Sequence, residues 1–237
     1  MFVNKTLDNE FVQLFTMINK FKQSKYIIED ILCLNDLHEL DISFNRINQI
    51  KSNAFNGLKS LQSLNLTRNK LTRLNSNSFA SLGDLKSLYL GVNLISDLNE
   101  HVFNGMNSLQ LLDLHCNQIT QLNANLLSSL NNLQTLNLNQ NEINRISAEF
   151  FKGLVNLKEL DMNQNRITEI DINAFNDLKN LETLNLSRNR IFSIDIDIFK
   201  NLNNLKHVDL HYNLLTGINK QNLEDYFKAI EIQLIKI

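Results

Sequence analysis

The chain has no proline, no tryptophan and two cysteines in 237 residues, and its 23 basic residues are nearly matched by 25 acidic ones. Two thiols, Cys33 and Cys116, cannot supply a disulfide framework, which speaks for a reducing compartment. A formal charge of -2 leaves no long-range field to draw in DNA, RNA or an anionic membrane. No stretch approaches the ~18 consecutive apolar residues of a membrane span, and an acidic residue interrupts the first ten positions before a signal-peptide core could form. On these grounds the expected location is cytoplasmic, or extracellular if the chain is a fragment of a longer receptor. Missing Pro and Trp beside abundant Asn, Ile and Lys is the compositional habit of an AT-rich genome and has no bearing on function.

What is present is a period. Leucine recurs at Leu37, Leu61, Leu85, Leu109, Leu133, Leu157, Leu181 and Leu205, every 24 residues with no insertion. The fourth place of each repeat, Leu40 through Val208, and the sixth, Ile42 through Leu210, are apolar throughout. Alternation over these places predicts a short strand in every repeat. The eleventh and fourteenth places, Ile47 through Leu215 and Ile50 through Ile218, are apolar as well. At the nineteenth stand Phe55, Phe79, Phe103, Phe151, Phe175 and Phe199, with Leu127 and Leu223 completing a hydrophobic spine.

At the ninth place every repeat has asparagine: Asn45, Asn69, Asn93, Asn117, Asn141, Asn165, Asn189 and Asn213. An amide carries two donors and an acceptor, enough to pair the backbone groups freed where each strand turns away and to tie one coil to the next. These residues are expected to be a structural ladder.

Together the columns read LxxLxLxxNxLxxLxxxxFxxLxx, which resembles the 24-residue typical leucine-rich repeat of Toll-like receptors, small proteoglycans and adhesion proteins. The resemblance covers residues 37–228. It implies an α/β solenoid, a horseshoe with a parallel concave sheet and an irregular or short-helical convex side. One repeat cannot bury its own apolar face, so stacked neighbours must share a continuous core. Residues 1–36 are expected to cap the array with an amphipathic helix over 7–21 and a degenerate half repeat at Tyr26, Ile31 and Leu34, and residues 229–237 to add a closing strand. The cysteine clusters that commonly flank extracellular arrays are missing.

Catalytic chemistry finds no footing. In the repeat frame His115 and His211 are four coils apart, about 19 Å, and His207 lies about 13 Å from His211 along a strand, too far to share an ion. His38 and His101 stand alone, and no Gly-rich phosphate loop or metal-spaced cluster appears. No cofactor and no metal are expected, and Cys33 and Cys116 are too far apart to bridge. Sequons at Asn4, Asn65 and Asn185 are weak signals of glycosylation, since the repeat itself writes Asn-Leu-Thr and Asn-Leu-Ser at the last two.

The expected function is a non-catalytic protein-binding module or adaptor, the alternatives being a ligand-binding ectodomain fragment of a receptor or adhesion protein and a regulatory subunit of an enzyme. A protein or peptide is the expected partner, with neither nucleic acid nor membrane insertion. Outward strand places are free of core duty, so specificity is expected there. The fifth place runs Asp41, Asn65, Tyr89, Asp113, Asn137, Asp161, Asn185, Asp209, polar except at Tyr89. Around that break Tyr89, Gly91, Val92 and Leu94 in the third repeat, with Leu111, His115 and Cys116 in the fourth, form the candidate partner-binding patch. The basic clusters Arg46, Arg68, Lys70 and Arg166, Arg188, Arg190 flank it.

Overall fold

The computed structural model describes residues 36–236, apart from 53, 124, 231 and 232. The expected helix over 7–21, the half repeat before residue 36, and Cys33 lie outside the described residues.

Each repeat contributes one three-residue strand: β1 (Glu39–Asp41), β2 (Ser63–Asn65), β4 (Ser87–Tyr89), β6 (Leu111–Asp113), β7 (Thr135–Asn137), β9 (Glu159–Asp161), β11 (Thr183–Asn185) and β12 (His207–Asp209). With β13 (Gln233–Lys236) they make a nine-stranded parallel sheet in sequence order among the described residues. From β1 to β12 pairing advances by one repeat at every step, as in Leu64↔Leu88 and Leu88↔Leu112, whereas the last step, Val208↔Leu234, is 26 residues and carries a register shift. A one-residue slip would turn the leucines outward, so the fourth-place column pins the register. Two-residue strands β3 (Arg73–Leu74), β5 (Asp97–Leu98), β8 (Arg145–Ile146) and β10 (Glu169–Ile170) pair as β3 with β5 and β8 with β10 at a second corner of the coil.

Between these corners lies a continuous core of the first, fourth, sixth, eleventh and nineteenth columns, most of it with no measurable exposure. The convex spine is a row of aromatic rings, with Phe55 stacked on Phe79 at 5.9 Å and Phe151 on Phe175 at 6.0 Å. Leu127 fills the row between Phe103 and Phe151.

The ninth-place asparagines carry the strand exits. Asn117 Nδ2 donates to the carbonyls of Leu90 at 3.1 Å and Leu114 at 3.0 Å, and its Oδ1 accepts from Ile95 N–H at 2.9 Å. Asn69, Asn93, Asn141, Asn165, Asn189 and Asn213 make the same three bonds in their own coils. Asn45 donates to Ile42 O and Ser43 O, but its Oδ1 finds no donor among the described residues. A second, shorter ladder has no fixed column behind it in the first repeats. Just before the leading leucine, Asn132, Asn156, Asn180 and Asn204 each donate to a carbonyl of the preceding coil at 2.7 to 2.8 Å.

The eighth coil departs from the others. After extended Thr216 the chain enters helix α1 (Gly217–Ala229), which buries Leu223 and Phe227, one turn apart on its inner face. Phe227 takes an edge-to-face position on Phe199 at 4.9 Å and so ends the aromatic spine. The fourteenth-place core column therefore stops at Ile194. Ile218 sits in the first turn of α1 and is 80% exposed. Asn219 takes over at that corner, accepting from Ile194 N–H at 3.0 Å and donating to Ile194 O at 2.8 Å.

Candidate functional site

The outward places of the sheet are less free than alternation alone implies. In seven of the eight coils the fifth-place Asp or Asn accepts the backbone N–H two residues on, from Ser43 N to Asp41 Oδ1 at 2.8 Å through His211 N to Asp209 Oδ1 at 3.1 Å. Each of these side chains closes its strand as an Asx turn. Tyr89 has neither carboxylate nor amide to offer, so the third coil is where this row is broken.

Tyr89 lies between Asn65 and Asp113 in the sheet, and Leu111 lies between Ser87 and Thr135. They are diagonal neighbours on β4 and β6, each half-buried, and make an apolar step on an otherwise polar face. Beside them His115 Nδ1 is 2.8 Å from Asp113 Oδ1 and 2.9 Å from Oδ2, while His115 N–H bonds the same carboxylate at 3.1 Å. The imidazole rests on buried Gly91: a Cβ there would lie 2.2 Å from two ring atoms of His115. Gly91 is the floor under the histidine, with no surface of its own to present. His211 and Asp209 repeat the pair in the eighth coil.

Val92 and Cys116 stand next to each other on the rim where the sheet turns. Both have positive φ, 53° and 51°, and so do Phe44, Arg68, Gln140, Gln164, Arg188 and Tyr212, the rest of the eighth-place column. Left-handed backbone without Gly or Asn is uncommon, and for β-branched Val92 it is an outlier. Inter-coil bonds impose it: Val92 N–H bonds His115 O at 2.8 Å and Cys116 N–H bonds Asn139 O at 3.0 Å. The Cys116 thiol donates to Gln140 Oε1 at 2.6 Å. Burial pushes its pKa up and the Asp113 carboxylate adds to that, with Arg68 pulling the other way. Leu94 falls farther out, beyond the rim on the flank of the solenoid, and is 43% exposed. The structure thus brings Tyr89, Leu111, His115, Val92 and Cys116 into one neighbourhood and leaves Leu94 at its margin.

Among the described residues no group of three or more His, Cys, Asp or Glu could hold a metal ion. A depression of about 260 Å³ on the convex side, between coils five and six, is lined by groups that already have partners. Lys152 pairs with Glu149 at 3.0 Å, and Asp177 accepts from Gly153 N–H at 2.9 Å. No helix among the described residues is long and apolar enough to cross a membrane.

A sequence model described as "Leucine rich repeat" matches residues 35–95, 84–143, 131–191 and 179–226. No curated protein matches the sequence. Among solved structures, a leucine-rich-repeat protein of Leptospira interrogans superposes with a TM-score of 0.75 at 25% identity, over 85% of this chain and 49% of its own. The octameric complex of latrophilin 3, Unc5D and the leucine-rich repeats of FLRT2 gives 0.75 at 23% identity, over 85% of this chain and 62% of that one. An internalin of Listeria monocytogenes gives 0.66 at 26% identity, over 84% of this chain and 56% of that one. The chain thus spans about half to three-fifths of the length of these structures.

Proposed function

The chain belongs to the leucine-rich-repeat family, and from that premise we propose that it is a non-catalytic protein-binding module whose concave face takes a protein or peptide at Tyr89 and Leu111. The observation that carries this reading is the interrupted Asx row. Seven coils commit the fifth place to closing their own strand, and the one coil that does not puts a large aromatic there. A Tyr beside a Leu, rimmed by Asp113, Asn65 and the His115 ring, has the composition of an interface hot spot within a polar surround. Val92 and Cys116 border it on the rim, Gly91 lets His115 lie flat beside it, and Leu94 extends it onto the flank.

A protein suits this face better than a nucleic acid. Asp41, Asp113, Asp161 and Asp209 place four carboxylates along the sheet, which would repel a phosphate backbone. A structure of TLR13 with single-stranded RNA is also similar, with a TM-score of 0.60 at 28% identity over 75% of this chain and 29% of that one. RNA is therefore the natural control ligand.

The test is affinity capture followed by mass spectrometry, repeated with a Tyr89→Ala, Leu111→Asp double variant. The variant is expected to keep its unfolding midpoint and lose the partner, whereas Lys152→Ala on the convex side keeps both. Undiminished capture by the folded double variant would remove the site from this patch. A second reading, that the chain is part of a longer ligand-binding array, draws support from the fraction of its structural neighbours it spans. A longer reading frame adding repeats or cysteine-rich caps would establish it.

A further inference from the structure

The largest exposed apolar side chains of the described residues are not on the concave face. Four of them collect on the flank of the last two coils. Phe192 is 54% exposed, Tyr212 70%, Leu214 53% and Ile218 80%. Backbone bonds from Leu214 N to Ile191 O at 3.0 Å and from Thr216 N to Phe192 O at 3.3 Å hold the two stretches side by side. Phe192 stands in a column that is otherwise Asn, Thr or Ser, and Ile218 in one that is otherwise apolar and inward-facing. The first is an apolar residue at a polar place. The second is a core residue that helix α1 turns out to solvent. Two independent departures from the repeat meet in one patch.

At the eighth, tenth and twelfth places, which carry Phe192, Tyr212 and Leu214, the charged side chains of these coils are basic. In coils six to eight the eighth, tenth and twelfth places are Gln164, Arg166, Thr168, then Arg188, Arg190, Phe192, then Tyr212, Leu214, Thr216, with three arginines and no carboxylate. Arg166 is met by Glu142 at 3.0 Å. Arg188 lies over the Tyr212 ring, 4.9 Å from its centroid, so the exposed aromatic sits against a cation. A two-fold dimer through this patch would lay a surface carrying Arg188 and Arg190 on a second copy of itself, with no carboxylate at these places to receive them, because an isologous interface pairs a surface with itself. The chemistry that complements it is acidic and apolar together.

We infer that this flank is a second docking surface, for an acidic protein segment that places large apolar side chains on Phe192, Tyr212, Leu214 and Ile218 and carboxylates against Arg188 and Arg190. It shares with the concave-face reading only the premise that the chain binds protein, and it uses none of that patch's residues. The carboxylates steer and orient the segment while the apolar anchors supply most of the affinity, so binding is sensitive both to salt and to loss of a single anchor.

A library of random peptides displayed on phage, selected on the folded chain, supplies the probe. The selected peptides are then made with a fluorescein label and titrated by anisotropy. The expected result is peptides carrying Asp or Glu beside Phe, Trp or Leu. Their affinity should fall at least about tenfold with Leu214→Asp and with the Arg188→Glu, Arg190→Glu pair, should weaken as salt rises, and should be unchanged by Tyr89→Ala. Circular dichroism and the unfolding midpoint show that each variant is folded, as its exposed side chains permit. Four outcomes overturn the inference: no peptide selected, peptides of neutral or basic composition, affinity lost in Tyr89→Ala and kept in Leu214→Asp, or a dimer by sedimentation that Leu214→Asp dissolves. The third of these leaves the concave-face reading standing, so the two proposals fail separately.

Discussion

Replacing Asn117 by Leu isolates what one rung of the asparagine ladder contributes. The side chain makes one bond that nothing else can make and several that are shared. Leu90 O accepts from Asn93 as well as Asn117, and Leu114 O accepts from Asn141 as well as Asn117, so both carbonyls keep a partner when residue 117 changes. Ile95 N–H has only Asn117 Oδ1, at 2.9 Å. Stranding that buried donor costs about 1 to 3 kcal/mol, and losing the shared bonds adds about 0.5 to 1.5 kcal/mol. The sum is about 1.5 to 4.5 kcal/mol, equivalent to roughly 3 to 18 °C in Tm for a chain of this size. Asn45→Leu is the matched control, since Asn45 Oδ1 accepts nothing among the described residues and Ile42 O retains the Asn69 bond. It should cost about 1 kcal/mol less at minimum. Urea unfolding followed by circular dichroism measures both, and amide hydrogen exchange reads the Ile95 N–H itself. Equal destabilisation by the two variants, or an Ile95 amide still protected in Asn117→Leu, would refute this account of the ladder.

Three further outcomes follow from other places in the fold. Val92→Asn should raise stability by up to about 1 kcal/mol, because Asn tolerates the left-handed backbone that β-branched Val resists; a lower midpoint would show that the Val side chain contributes more than its backbone costs. Gly91→Ala should cost about 1 to 3 kcal/mol by driving the His115 ring off its seat, and a Gly91→Ala, His115→Ala double variant should recover most of that; additive losses would mean that the close approach is not the cause. Ile218→Asp should leave stability unchanged or raise it by about 0.3 to 1 kcal/mol, since the residue is exposed in the first turn of a helix whose first turn has no acidic side chain. Ile194→Asp, in the same column, should unfold the last coils, and the two midpoints compared by thermal melts check the assignment.

Much of the architecture can be read from the period. A column such as Leu40 through Val208 repeats because every coil meets the same neighbour on each side, so one packing requirement is written eight times and local noise averages out. The ninth-place asparagines are legible for the same reason. The second ladder, Asn132 through Asn204, is only half written, since the earlier coils have Ser60, Asp84 and Ser108 there, and four occurrences do not stand out from background. The candidate patch was legible as a break in a polar column, but not the reason the column is polar, because an Asx turn is a backbone interaction that leaves no periodic apolar signal.

The sequence by itself determined the solenoid, the strand register and the identity of the core columns, since these follow from side-chain polarity at fixed spacing. Tertiary structure alone decided the rest. Left-handed backbone at Phe44 through Arg188 in the eighth-place column has no Gly or Asn to announce it and is imposed by bonds between coils. Gly91 is small because a histidine 24 residues away lies on it. Ile218 has the sequence position of a core residue and is turned to water because the helix buries Leu223 and Phe227 in its stead. A periodic pattern records what each coil demands of an identical neighbour; where the neighbour differs or ends, the side chains are placed by the contacts actually available.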